Sequence, residues 1–271
     1  MDSNVRTDTL ADVYSTQGVI ARNRLHPEMP SGVSVVTADG IVPVACWLDD
    51  FAGDHTTLDC ARVDLLRSES GALHLVRATR QADLDPLDLV PEVFLSDPSL
   101  LFTLRDHVVA IRTPALRAFV SEVFRIPHVF YKYWTAPGEQ GDAQCGGLLN
   151  RSLKAADLIQ RALRKQVIRG DEIAPEMTDL AISVALLQGV GKCVAYEANG
   201  CRCQHAKALG TSFLSLELMR PALEWLAQRD AAMADAIRVL TQHRAEYADT
   251  ALPLYRLQGL LLWAAQKAAS G

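Results

Sequence analysis

The chain has 271 residues, 49% of them hydrophobic and 22% charged, with a formal net charge of −5. That length holds one large domain or two small ones, the apolar fraction excludes a disordered chain, and the acidic balance excludes a protein coated in basic residues without excluding a local basic groove. Hydrophobic runs fall short of the roughly 20 residues of a membrane span, the polar start Met1–Asn4 lacks the order of a secretory leader, and the cysteines of so long a chain fit reduced thiols, so a cytoplasmic protein without membrane contact is expected.

Residues 1–84 carry strand signals. Gly18 to Leu25 is a short mixed run. Val33-Ser34-Val35-Val36 is β-branched and runs into Asp39-Gly40, a hairpin turn signal, with Ile41 to Trp47 as the return strand. Thr57 to Leu66 alternates, with Leu58, Cys60, Val63 and Leu65 as its apolar members. Ser68 to Gly71 reads as a turn, and Ala72 to Val76 follows as a strand. Five short strands in about 80 residues predict a small barrel of the oligonucleotide-binding (OB) type.

Residues 85–98, rich in Asp and Pro, are predicted to link this part to a helical one over residues 99–271. Helices are predicted at Ser99–Ile111 and Pro114–Phe124, the second with proline in its first turn. Gly147–Arg169 is amphipathic, and Pro175–Leu187 is so apolar that it is expected at the centre. Ala206–Gln228, Ala231–Tyr247 and Pro253–Ala269 complete the set. The fold class expected is α+β in two domains: a five-stranded OB-like barrel, then an all-α domain.

One motif in the helical part is informative for what it lacks. Leu186-Leu187-Gln188-Gly189-Val190-Gly191-Lys192 is similar to the L-L-H-D-x-G-K signature of the HD metal-dependent phosphohydrolases, with Gln188 and Gly189 in place of the His-Asp pair that would hold a metal. Across nearly its whole length the chain resembles the bacterial YhaM-type 3′→5′ exoribonucleases, which join an OB domain to an HD domain, and the HD-like domain of the TraI-type relaxases of conjugative elements. In the first part the resemblance rests on Asp39 to Trp47 and on Gly71 to Val76. In the second, Ala136 to Ala143 aligns with a stretch ending in His-His-Ala, where Gly141 and Asp142 replace the histidines. Gly146 to Leu153 is similar to G-G-L-L-E-H-S-L, with Arg151 for histidine. Leu209-Gly210-Thr211 is similar to L-G-H, with Thr211 for histidine, and Ala265-Gln266 falls where the family has Ala-Asp, with Gln266 for the acid. His243 alone survives from the ligand set implied by the resemblance. So many lost ligands leave no metal site, while the glycine and apolar framework persists. Arg151 repels a cation and suits a phosphate, or else points outward or pairs with an acid.

Other residues carry candidate chemistry. Cys193, Cys201, Cys203 and His205 are soft ligands close in sequence; their spacing is not that of a common zinc motif, so structural thiols are favoured over zinc and no cofactor is expected. Arg22, Arg24, Arg62, Arg67, His74 and Arg77 are candidates for tracking a nucleic-acid backbone, against the alternative of a solvated face opposed by Asp49, Asp50, Asp54 and Asp59. Trp47 is expected in the barrel core. Phe130 to Trp134 stacks on bases, receives a partner, or packs between helices.

The function expected is a non-catalytic, nucleic-acid-associated protein. It binds single-stranded RNA or DNA or scaffolds a protein partner, in a conjugative or integrative setting that only the relaxase resemblance suggests. Two alternatives stay open. One is an active metal-dependent exonuclease or phosphohydrolase with a displaced site built from Asp142, Asp157, Asp179 and Glu197 with His205 or His243. The other is a protein–protein module.

Overall fold

A computed structural model of the chain describes residues 13–21, 33–46, 58–138, 146–169, 173–196, 201–242 and 253–270. The chain divides into two compact units, Met1–Glu92 and Val93–Gly271. The first is a sheet unit and the second a helical unit.

The sheet contains β1 (Val13–Ala21), β2 (Ser34–Thr37), β3 (Gly40–Pro43), β4 (Ala45–Cys46), β5 (Asp59–Arg67) and β6 (Leu73–Arg80), in the order β3-β2-β1-β5-β6-β4. Every pairing is antiparallel except the last, where Ala45 and Cys46 run parallel to His74 and Leu75. β1 begins earlier than the apolar pattern predicted, because its largely exposed first half is held as a strand by pairing with β5. The expected return strand is split at Val44: Pro43 has no N–H for a ladder, and Val44 N donates instead to Val33 O at 3.0 Å. The hairpin forms with Thr37 opposite Gly40, so its loop is Ala38-Asp39 rather than Asp39-Gly40. Ile20, Val35, Val44, Ala61, Val63, Leu65 and Leu75 make the core of this unit. A bulge between Asp64 and Leu65 keeps Leu65 and Leu75 on that core face.

Residues 85–98 contain the unit boundary and more structure than a bare linker. Two short 3-10 turns, Pro86–Leu89 and Glu92–Phe94, bury Leu87, Leu89 and Phe94. The Asp85 carboxylate caps the first by accepting from Leu87 N at 3.0 Å.

The helical unit holds α1 (Ser99–Ala110), α2 (Pro114–Phe124), α3 (Pro127–Lys132), α4 (Gly147–Ile168), α5 (Pro175–Leu187), α6 (Lys192–Ala195), α7 (Gln204–Leu209), α8 (Thr211–Ala227), α9 (Ala231–Thr241) and α10 (Pro253–Ala269). The long helix predicted over Ala206–Gln228 is two, because Gly210 at φ +79° ends α7 and opens α8. α5 lies at the centre, as its apolarity predicted: Asp179 to Leu187 are all buried, and the helix meets α1, α2, α4, α9 and α10. Together with α6 it forms a stretch, Pro175–Ala195, of 21 residues that is long and apolar enough to cross a membrane by length and composition, although 72% of its apolar window is buried within the protein. The expectation that no apolar run approaches the length of a span is thus not met by composition alone, because the turn and α6 extend α5. A core helix meets the same test.

Candidate functional site

The site is built around the turn that ends α5. Gln188 N closes the helix on Val184 O at 2.7 Å, Val190 N returns to Leu187 O at 3.0 Å, and Lys192 N to Gly189 O at 3.0 Å. Gly191 permits a close approach to the start of α8: a Cβ there would sit 2.4 Å from Thr211 O and 2.5 Å from Ser215 N, both backbone atoms. Ser215, wholly buried, locks the approach. Its hydroxyl accepts from Gly191 N at 2.9 Å, donates to Gln188 O at 2.7 Å and lies 3.0 Å from Thr211 O. On the other side Gly146, at φ +84°, opens α4 where a side chain would strain the backbone and strike Ser96 Oγ at 2.7 Å. Leu148 N then reaches Ala136 O at 3.0 Å, and Tyr133 donates its hydroxyl to Leu186 O at 2.7 Å. Burial pushes the Tyr133 phenol well above its usual pKa, so it remains a donor.

These contacts enclose a cavity of about 80 Å³ lined by Leu148, Arg151, Ser152, Gln188, Gly189, Lys192, Thr211, Ser212 and Ala265. The structure therefore brings Arg151, Gln188, Gly189 and Thr211 to one place from α4, the end of α5 and the start of α8. Gln266 is exposed on α10, and its neighbour Ala265 lines the cavity instead, accepting from Arg151 Nη2 at 3.0 Å. Gly141, Asp142 and His243 lie outside the described residues. Lys192 is buried at the wall, and Gln188 Oε1 is buried without a hydrogen-bond partner. Arg202 stands beside α8, its Nη2 donating to Ala206 O at 2.9 Å and approaching Thr211 Oγ1 at 3.5 Å.

A divalent metal does not suit this lining. Among the described residues it offers amide and hydroxyl groups with two cationic side chains, and no carboxylate, imidazole or thiolate. Of the acids named for a displaced site, Asp179 and Asp157 are engaged elsewhere. Asp179 caps α2, accepting from Arg112 N, Thr113 N and Thr113 Oγ1 at 2.9, 2.7 and 2.8 Å. Asp157 faces His107, 3.3 Å from its Nε2; burial holds the His107 pKa below 6.5 although Asp157 pulls it upward. Glu197 lies outside the described residues.

The zinc alternative is not assembled, since no three His, Cys, Asp or Glu side chains gather among the described residues. Cys193 is buried, its thiol pushed up to about 12 by burial, while Cys201 and His205 are exposed. Cys203 Sγ caps α7, accepting from Ala206 N at 3.4 Å. Phe130, Tyr131, Tyr133 and Trp134 are all buried and pack edge-to-face or stacked with one another and with Phe94 and Phe124, which favours the packing reading.

In the sheet unit, Arg62, His74 and Arg77 share the outward face, whereas Arg67 falls on the opposite face at the end of β5. On that outward face Asp64 sits opposite Arg77 and accepts from Ser15 Oγ, while Asp59 pairs with Arg80 at 2.9 Å on the other face. The outward face thus mixes both signs of charge. Arg22, Arg24 and Trp47 lie outside the described residues.

Sequence reasoning did not single out Lys192, Ser212 or Ser215. The signal was available for Ser215, four positions after Thr211 and so on the same face of one helix. Comparison with protein-family models, with characterised proteins and with solved structures found no match.

Proposed function

We propose that this is a non-catalytic, nucleic-acid-associated protein: an OB-type barrel joined to an HD-type helical domain whose metal site has been given up. The observation that carries the reading is the convergence of Arg151, Gln188, Gly189 and Thr211 on one cavity. They are far apart in sequence, and the resemblance to HD phosphohydrolases is what singled them out as former ligand positions. Their replacements, with Lys192 beside them, suit binding and not metal-activated hydrolysis.

The OB part of the reading is supported by strand pairing. Gly40–Cys46 is one stretch interrupted only at Val44, paired with β2 through its first half and with β6 through its second. Such a stretch links the two edges of the sheet, as closure of a five-stranded barrel requires. Exposed Arg62 and Arg77 favour a polyanionic partner, and the relaxase resemblance puts it in the setting of a conjugative or integrative element.

The test is to incubate the purified chain with 5′-labelled single-stranded RNA and DNA in Mn²⁺ and to run native and denaturing gels in parallel. Shifted but intact strands are expected. A shortened ladder overturns the reading in favour of an active nuclease. Strands neither shifted nor shortened overturn the nucleic-acid part and leave a protein-binding module.

A further inference from the structure

We infer that the outward face of α4, from Lys154 to Arg169, binds the backbone of a single-stranded nucleic acid, with one base turned into the groove beside it between α1, α4 and α5. The inference rests on the proposed nucleic-acid function and places strand binding in the helical unit, apart from the sheet.

The first observation is charge. Between Lys154 and Arg169 stand five cations, Lys154, Arg161, Arg164, Lys165 and Arg169, and a single acid, Asp157, in a chain whose net charge is −5. Positive charge is thus gathered on one helix of an acidic protein. All five cations are exposed, and none forms an ion pair among the described residues. Asp157 stands 3.3 Å from His107 Nε2. Helical spacing puts Lys154, Arg161, Arg164 and Lys165 on one side, along about 15 Å of helix axis. Asp171 and Glu172, which follow in sequence, lie outside the described residues.

The second observation is the groove, of about 690 Å³. Its lining includes Val109 and Arg112 at the end of α1, Arg164, Val167 and Ile168 on α4, and Ile182 on α5. It therefore shares Arg164 and Ile168 with the cationic face. Val109, Val167 and Ile168 are 71%, 54% and 83% exposed, apolar side chains left in water beside that face. Its buried acid, Asp179, is already occupied by the cap of α2. The volume lies within the roughly 300–1,000 Å³ of small-ligand pockets, room for one base and its sugar. The planar guanidinium groups of Arg112 and Arg164 suit the face of a base.

The third observation separates a strand from a lipid surface. The apolar side of α4, with Leu149, Leu153, Ile159 and Leu163, is buried within the unit, so the helix has no apolar face left to enter a membrane interface. A polyanion requires only the exposed cations. A single strand, unlike a duplex, also has bases free to leave the stack.

The test measures fluorescence anisotropy of a labelled single strand with the full chain over a range of salt concentrations. The combined variant Arg161→Gln, Arg164→Gln and Lys165→Gln should weaken binding about tenfold or more at low salt and reduce the salt slope by about two. Val109→Thr with Val167→Thr keeps shape and charge, and should weaken the strand about threefold with the slope unchanged. A duplex of the same sequence should bind more weakly than the single strand. Circular dichroism and melting verify that the variants fold. Unchanged affinity and slope in the folded triple variant overturn the inference, and so does a duplex that binds as tightly as the strand. If Arg62→Ala with Arg77→Ala abolishes binding while the triple variant does not, the inference falls and the functional reading survives. If the unaltered chain binds phosphatidylserine vesicles and no strand, the reading itself falls, and the inference with it.

Discussion

The two units deploy their cations differently. On the sheet, Arg62 and Arg77 are exposed, Asp64 lies across from Arg77, and Arg80 is paired with Asp59. In the helical unit, Lys192 is buried and Arg151 half-buried at one cavity, framed by a backbone turn that Gly191 and Ser215 hold against α8. The sheet shows its described arginines to solvent, whereas the helical unit gathers two cations at one cavity. Solvent and neighbouring acids screen an exposed guanidinium, whereas a partly desolvated one in a fixed frame discriminates strongly between ligands. Counting basic residues locates a region; only convergence and burial make a site.

The contrast breaks most directly at Gly191. Gly191→Ala drives a Cβ into two backbone atoms that cannot yield, so a loss of about 3 kcal/mol in unfolding free energy is expected in denaturant titrations. Next comes Ser215→Ala. It orphans Gly191 N and the Gln188 carbonyl in a dry interior and should cost about 2 kcal/mol while weakening the cavity more than the sheet.

A third measurement concerns pH. Burial disfavours the His107 imidazolium, so the unfolded chain binds more protons just below pH 6.5. The stabilising contribution is present above 6.5 and is lost as pH falls through that value toward the depressed folded pKa. His128 acts in the same direction, through burial and the nearby Lys132. Melting temperatures should therefore fall on acidification from about pH 7 to about pH 5, and His107→Asn should make the fall shallower. An unchanged slope would remove His107 from the account.

The smallest effect on stability is expected on the sheet. Arg62→Ala and Arg77→Ala should alter it by about 0.5 kcal/mol or less, yet each should weaken strand binding evenly across sequences and lower the salt slope by about one where it meets a phosphate. A large loss of stability would show these arginines to be structural and erase the contrast.

Much of the secondary structure was legible in the chain. Pro114–Phe124, Pro175–Leu187 and Pro253–Ala269 carry apolar periodicity behind a proline that suits a first helical turn, and the observed α2, α5 and α10 have those limits. β-branched runs around Asp39-Gly40 gave the hairpin. The motif Leu186–Lys192 and its companions pointed to Arg151, Gln188, Gly189 and Thr211 as a set, although periodicity alone says nothing of such a grouping.

What only the tertiary structure decided depends on neighbours distant in sequence. The exposed first half of β1 is a strand because β5 pairs with it, and Gly40–Cys46 divides because different partners take its two halves. Arg62 and Arg67 look alike in sequence but fall on opposite faces, since strand side chains alternate. Whether a cysteine is a buried acid with a pKa near 12, like Cys193, or an exposed thiol, like Cys201, is set by the surrounding packing. The cavity itself arises where Gly191 lets one backbone touch another: local sequence specifies the turn, but its charge, depth and lining come from helices that meet only after the chain has folded.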